Sequence, residues 1–101
     1  MFRQGDVLLI PVQEIPKRAR AVEREGGRVV LAHGEATGHA HAIQAPGARL
    51  FSDGGSRFLE VPAEGATLAH EEHAAIPLPG GAYRVVIQRE YSPEENRPVA
   101  D

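Results

Sequence analysis

The sequence contains no cysteine in its 101 residues. A disulfide framework, a thiolate metal site and a cysteine nucleophile are therefore excluded, and any bound metal must be held by nitrogen and oxygen ligands. The chain also lacks an apolar stretch of the roughly 20 residues that a membrane-spanning helix needs, and it does not start with the basic and apolar segments of a secretory signal. We expect a soluble, cytoplasmic protein that does not enter a membrane.

A strong charge of either sign is missing as well. The net charge of -3 and the isoelectric point near 5.9 disfavour a protein that coats phosphate backbones, so nucleic acid is not an expected partner. Apolar residues make up 42% and charged residues 25%, close to the averages of folded soluble proteins. At this length there is room for one modest core, so we expect a single domain over residues 1–101.

Uninterrupted stretches long enough for helices are scarce, because 11 glycines and 8 prolines are spread along the chain. Short runs rich in β-branched residues and leucine, bounded by glycine or proline, predict strands instead. The clearest of them are residues 6–12, 28–32, 38–44, 57–61 and 82–91. These runs predict an all-β fold, either an antiparallel barrel or a sandwich.

Two hairpins are predicted from glycine-rich turns. Residues 18–25 alternate charged and small apolar side chains, and a turn at residues 26–27 would pair them with residues 28–32. A short helix is the alternative for residues 18–25. The second hairpin is expected between two of the runs 38–44, 49–51 and 57–61, and a turn is predicted at residues 53–55.

One short helix is predicted near the C-terminus. Ser92 is a capping residue, Pro93 suits the first helical position, and Glu95 lies three residues after the cap. Pro98 limits this helix to about one turn.

His39 and His41 form a His-x-His motif inside the predicted strand 38–44. Successive side chains of a strand point to opposite faces, so the two imidazoles share one face while Ala40 and Ala42 share the other. The motif therefore predicts a clamp of two nitrogen ligands for a metal ion.

A second pair, His70 and His73, lies in the motif HEEHA. Residues three apart do not share a strand face but meet in a turn, so we predict a bend at this point. The spacing differs from the His-Glu-x-x-His motif of zinc peptidases, whose histidines are four apart on a helix. Glu35, Glu71 and Glu72 are the nearby carboxylates.

Four histidines from two separate segments predict one metal site with the ligands His39, His41, His70 and His73. A divalent transition metal of the Zn, Fe, Ni, Cu or Mn type accepts imidazole nitrogen, and the sequence leaves its identity open. If one coordination position stays open, the protein is a metal-dependent enzyme acting on a small molecule, with Glu72 as the first choice for a general base. A closed set of four protein ligands suits a metal sensor or a structural site.

The same histidines permit a second interpretation, in which they line the subunit interface of a homo-oligomer without metal. A small domain with open edge strands has reason to associate, so we expect a homo-oligomer in either case. His33 is more simply interpreted as a surface or hydrogen-bonded histidine. The basic residues Lys17, Arg18 and Arg20 stand among glutamates and indicate a solvated mixed surface.

Two resemblances are visible. The succession of QGDVLL, GEATGHAHAI, HEEHA and QREYSPE resembles a group of small bacterial proteins of unassigned function, over nearly all 101 residues. This resemblance implies a self-contained module and transfers no catalytic residue. The His-x-His strand also resembles the metal motif of cupin barrels, which implies a metal inside an antiparallel barrel. The chain departs from that motif because no glutamate follows His41 at the expected short distance.

Overall fold

A computed structural model describes residues 1–34 and 37–88 of the chain. Within these residues the chain forms ten strands and no helix. In chain order the strands are β1 (Phe2–Gln4), β2 (Val7–Val12), β3 (Arg20–Val22), β4 (Val29–His33), β5 (Ala40–Ile43), β6 (Arg49–Asp53), β7 (Ser56–Val61), β8 (Ala66–Ala69), β9 (Ile76–Leu78) and β10 (Gly81–Ile87).

The strands form two antiparallel sheets. The larger sheet has six strands in the order β1-β2-β10-β7-β6-β3, and the smaller has four in the order β4-β5-β8-β9. Both sheets contribute to one hydrophobic core, to which the larger gives Leu9 and Leu59 and the smaller gives Ile43 and Leu68, all fully buried. The predicted all-β fold is confirmed, in a sandwich-like arrangement.

The turn predicted at residues 53–55 is confirmed, and the two runs that pair as a hairpin are 49–51 and 57–61. Asp53 at the end of β6 pairs with Ser56 at the start of β7, which leaves a two-residue connection. Gly54 in this connection has φ of +62°, a left-handed conformation that only glycine adopts at low cost.

The hairpin predicted for residues 18–25 and 28–32 is wrong. Only Glu25 and Arg28 bridge across the glycine turn, while β3 pairs with β6 and β4 pairs with β5. The chain changes sheets here, and the Arg24 guanidinium donates hydrogen bonds to carbonyl oxygens of the β5–β6 connection. The helix alternative for this segment is wrong too, since Arg20–Val22 is a strand.

The remaining differences from the structure concern short strands and the end of the chain. Strands β1, β8 and β9 escaped prediction, because three or four residues are too few to show a periodic pattern. The last strand ends at Ile87, and Tyr91 and the predicted helix at Ser92 lie outside the described residues. No helix that could cross a membrane occurs in residues 1–34 or 37–88.

Candidate metal centre

Strand β5 carries His41 on the face predicted from strand alternation, but His39 of the same predicted pair lies just before the strand. Ile43 faces the main core, whereas Ala40 and Ala42 form a small separate cluster with Val30 on the opposite face of the sheet. His41 is two residues from Ile43, so its ring lies on the core side, where it is 6% exposed. His39 precedes β5 and is half-buried.

The second pair lies in the connection between β8 and β9. Ala42 pairs with Ala69 and Ile43 pairs with Leu68, so one further step along both strands brings His70 opposite His41. Residues 71–73 form a bend rather than a helical turn. The predicted bend is confirmed, and it returns the chain to the smaller sheet as β9.

All four imidazole rings meet at this end of the sandwich. The His70 ring is central: its centroid lies 4.3 Å from that of His41, 4.7 Å from that of His73 and 5.8 Å from that of His39. The centroids of His41 and His73 are 5.7 Å apart. Imidazoles bound to one tetrahedral ion through nitrogen at about 2.0 to 2.1 Å have centroids roughly 5 Å apart. The observed ring separations bracket this value.

The most compact group of potential ligand atoms belongs to His39, His70 and Glu71. One nitrogen from each histidine and one carboxylate oxygen lie within 4.8 Å of one another. Ligands of a tetrahedral zinc ion are about 3.3 Å apart, so modest side-chain movement would bring the three together. His41 and His73 lie directly beside this group through their contacts with His70.

Gln4, in strand β1 of the larger sheet, forms hydrogen bonds to the segments that carry the histidines. Its side chain is buried, with 2% of the residue exposed, and its Nε2 donates to the carbonyl oxygens of Leu68 at 3.0 Å and Ala74 at 2.9 Å. These two carbonyls stand before and after the HEEH segment. One amide therefore connects strand β1 to both ends of the loop that carries His70 and His73.

The same amide fixes the proton on His41. Gln4 Oε1 lies 2.9 Å from His41 Nδ1, and a carbonyl oxygen only accepts, so Nδ1 carries the hydrogen and donates. The reverse orientation of the Gln4 amide would set its oxygen against two carbonyl oxygens. In the neutral ring Nε2 then holds the lone pair, which is the form that binds a metal.

Burial keeps His41 neutral. Desolvation lowers its pKa from 6.5 to about 4, with further lowering by the charges of His70 and His73 and opposition from Asp6 and Glu71. A metal competes with protons for imidazole nitrogen. At neutral pH His41 therefore needs no deprotonation before it binds a cation.

The two glutamates of HEEH have different contacts. Glu71 Oε1 accepts the backbone N–H of Ala40 at 3.0 Å, and this hydrogen bond ties the loop to the start of β5. The same hydrogen bond lowers the pKa of Glu71, as do the backbone N–H of Glu71 and the nearby His39 and His70. Glu72 Oε2 lies 3.4 Å from His39 Nδ1 on an exposed side chain. This is the kind of contact through which a carboxylate orients a metal-binding imidazole.

His70 carries a hydrogen bond that bears on its availability as a ligand. Its Nδ1 accepts the backbone N–H of Glu72 at 2.9 Å, so the neutral ring carries its proton on Nε2. Binding a metal therefore requires either exchange of this hydrogen bond for the metal or a turn of the ring.

Two glycines lie so close to the imidazole rings that a side chain at either position would collide with them. A Cβ atom on Gly5 would lie 2.9 Å from His73 Nε2 and 3.2 Å from His41 Cε1. A Cβ atom on Gly34 would lie 2.9 Å from the Cβ of His39 and 3.0 Å from His70 Nε2. Gly5 also has φ of +57°, so a larger residue there meets both steric and backbone resistance.

The structure thus brings His39, His41, His70 and His73 together and leaves His33 outside. His33 is exposed and its Nε2 lies 3.0 Å from Glu25 Oε1, which confirms its interpretation as a hydrogen-bonded surface residue. Glu35 lies outside the described residues. The sequence-based prediction missed Gln4 and Gly5, because Gly5-Asp6 before the apolar run of β2 indicates a turn and not that Gln4 is buried.

Comparison with known proteins places these residues in one family. Searches of curated proteins and of solved structures find no match to the chain, so the resemblance to cupins gains no support from them. A family model described as a domain of unknown function, DUF8820, matches residues 3–88. This span includes Gln4, Gly5 and all four histidines of the centre. The chain belongs to the DUF8820 family.

Proposed function

We propose that this chain binds one divalent transition metal ion at the centre formed by His39, His41, His70 and His73, with Glu71 as a fifth available ligand. The observation that carries the proposal is the convergence of four imidazole rings from two chain segments, with centroid separations of 4.3 to 5.8 Å. Nitrogen and carboxylate ligands suit Zn, Fe, Ni, Cu or Mn.

Electrostatics support this assignment. His41 is neutral at physiological pH and its Nε2 lone pair is free of the Gln4 hydrogen bond. Asp6 and Glu71 act on His41 with negative charge, and Glu72 lies beside His39. A neutral imidazole with a free lone pair and carboxylates around the cluster are features that stabilise a cation.

The contact of Glu72 with His39 Nδ1 favours an orienting role for this carboxylate. A proton on Nδ1, shared with Glu72, leaves the His39 Nε2 lone pair for the metal. The same carboxylate is largely exposed, so it also stands where a general base could receive a proton from metal-bound water in a metal-dependent enzyme.

A metal-free subunit interface is less well supported by the same contacts. The rings pack against one another within one chain, and of the four only His73 is an exposed residue, whereas residues that line an interface are accessible on the free subunit. In the interface interpretation a chelator leaves the melting temperature and the mass of the particle unchanged.

The experiment is metal analysis of untagged protein. The protein is stripped with chelator, dialysed against Zn²⁺, Fe²⁺, Ni²⁺, Cu²⁺ or Mn²⁺ in turn, and analysed for bound metal. We expect one equivalent in wild type and in the His33→Ala control, which removes a histidine outside the centre. The His39→Ala, His41→Ala double variant should lose the metal. Retention of only a small fraction of an equivalent by wild type would refute the proposal.

A further inference from the structure

The outer face of the smaller sheet contains a cavity of about 650 Å³. Ala40, Ala42 and Ala69 line it, and strand alternation sets Ala42 and Ala69 on the face opposite the core residues Ile43 and Leu68. Alanines at these facing positions leave an apolar depression. Its volume lies within the range of about 300 to 1,000 Å³ that is usual for small-molecule sites.

One end of this cavity is lined by a positively charged residue, Arg28. Arg28 lines the cavity and precedes Val29, which pairs with Ile43, so it lies beside Gln44 at the far end of β5. In the part of the chain that the structure describes, the Arg28 side chain has no ion pair or hydrogen bond. Arg28 is a half-buried residue, and a guanidinium without a partner suits a carboxylate, which it binds through two parallel N–H bonds.

The other end of the cavity reaches the metal centre. His70 and Glu71 line the cavity and also belong to the compact group of potential metal ligands. From Ala40, which contacts Glu71, to Gln44 the chain advances four residues, or about 13 Å at the rise of a strand. Arg28 and Glu71 line the cavity from its two ends and cover part of this distance, so a short extended molecule spans what remains between the guanidinium and the centre.

We propose that the cavity binds a small organic acid whose carboxylate pairs with Arg28 and whose short apolar chain lies over Ala42 and Ala69. An oxygen at the far end of this ligand meets the metal beside His70. Binding of the carboxylate at Arg28 needs no metal. The contact at the other end of the ligand, beside His70, rests on the proposed metal-binding function.

The test uses two monocarboxylates of equal chain length, hexanoate and its analogue with a hydroxyl on the terminal carbon. Binding is followed by NMR of the methyl groups of Ala42 and Ala69, first in metal-free protein. We expect saturable shifts at millimolar hexanoate, at least tenfold weaker binding of the uncharged hexanamide, and a similar loss in Arg28→Gln. Arg20→Gln, which removes an exposed arginine of strand β3, is the matched control and should bind as wild type does.

A second arm repeats the titration with the zinc-loaded protein. Here we expect the terminal hydroxyl to increase affinity severalfold over hexanoate, and to add nothing without zinc. Absence of saturable methyl shifts, or equal affinity in Arg28→Gln, overturns the proposal even if zinc binds. If zinc fails to bind while hexanoate still requires Arg28, the metal-binding function and the far end of this proposal fall together, and the Arg28 end is supported.

Discussion

The loss of the Gln4 amide is the perturbation with the clearest expected consequence. Replacing Gln4 with methionine keeps the length and volume of the side chain and removes its donor and acceptor atoms. Three groups lose a partner: the carbonyls of Leu68 and Ala74 and the Nδ1–H of His41. The Ala74 carbonyl is at an exposed residue and can turn to water, but Leu68 and His41 are buried.

The expected cost follows from the two buried groups. A buried polar group left without a partner costs about 1 to 3 kcal/mol, so Gln4→Met should lower the free energy of unfolding by about 2 to 6 kcal/mol. This is a large fraction of the roughly 5 to 15 kcal/mol of a small domain. Gln4→Glu should cost more than Gln4→Met at neutral pH, because a carboxylate oxygen then faces the carbonyls of Leu68 and Ala74.

Urea unfolding of metal-free protein measures the stability, and long-range ¹H–¹⁵N spectra report which nitrogen of His41 carries the proton. We expect Nδ1–H in wild type and a mixture of tautomers in Gln4→Met. Gln88→Met is the control, since Gln88 is exposed and its side-chain oxygen accepts one hydrogen bond from Arg3. A Gln4→Met stability within about 0.5 kcal/mol of wild type, the range of ordinary surface changes, would refute this reasoning.

Two further predictions concern the histidine rings. Because the His41 pKa is about 4 in the folded protein against 6.5 in the unfolded chain, the unfolded state binds more protons between these values. Metal-free protein should thus lose stability as pH falls from 6.5 to 4, by up to about 3 kcal/mol. Urea unfolding of His41→Gln should not show this loss of stability. An equally steep loss in His41→Gln would contradict the prediction. Gly5→Ala and Gly54→Ala both place alanine at positive φ and should each lower stability by about 1 kcal/mol. Only Gly5→Ala should weaken zinc binding in a titration, because a Cβ atom at position 5 would contact His73 whereas one at position 54 would meet open space. Equal zinc affinity in the two variants would count against the contact between position 5 and His73.

Sequence reasoning succeeded where the physical rule is local. The opposite faces of His41 and Ala42 follow from the two-residue period of any strand, and the turn at Gly54 follows from the conformational freedom of glycine. The bend that carries His70 and His73 followed from a spacing incompatible with a strand face.

It failed where the answer depends on distant contacts. Strand β3 pairs with β6 rather than with its sequence neighbour β4, and Arg24 donates hydrogen bonds to carbonyls about 20 residues further on. Gln4 was missed for the same reason: its partners lie 37 to 70 residues away, and no local pattern marks a glutamine as buried.

X-ray absorption at the zinc edge of untagged, zinc-loaded protein tests the central claim most directly, because it reports the ligand atoms themselves. The convergence of the four rings predicts a shell dominated by nitrogen at about 2.0 to 2.1 Å, with the multiple scattering of imidazole. The His33→Ala protein should give the same spectrum, and the imidazole signal should fall in His70→Ala. A shell of oxygen ligands without imidazole scattering would contradict the assignment of this centre as a metal site.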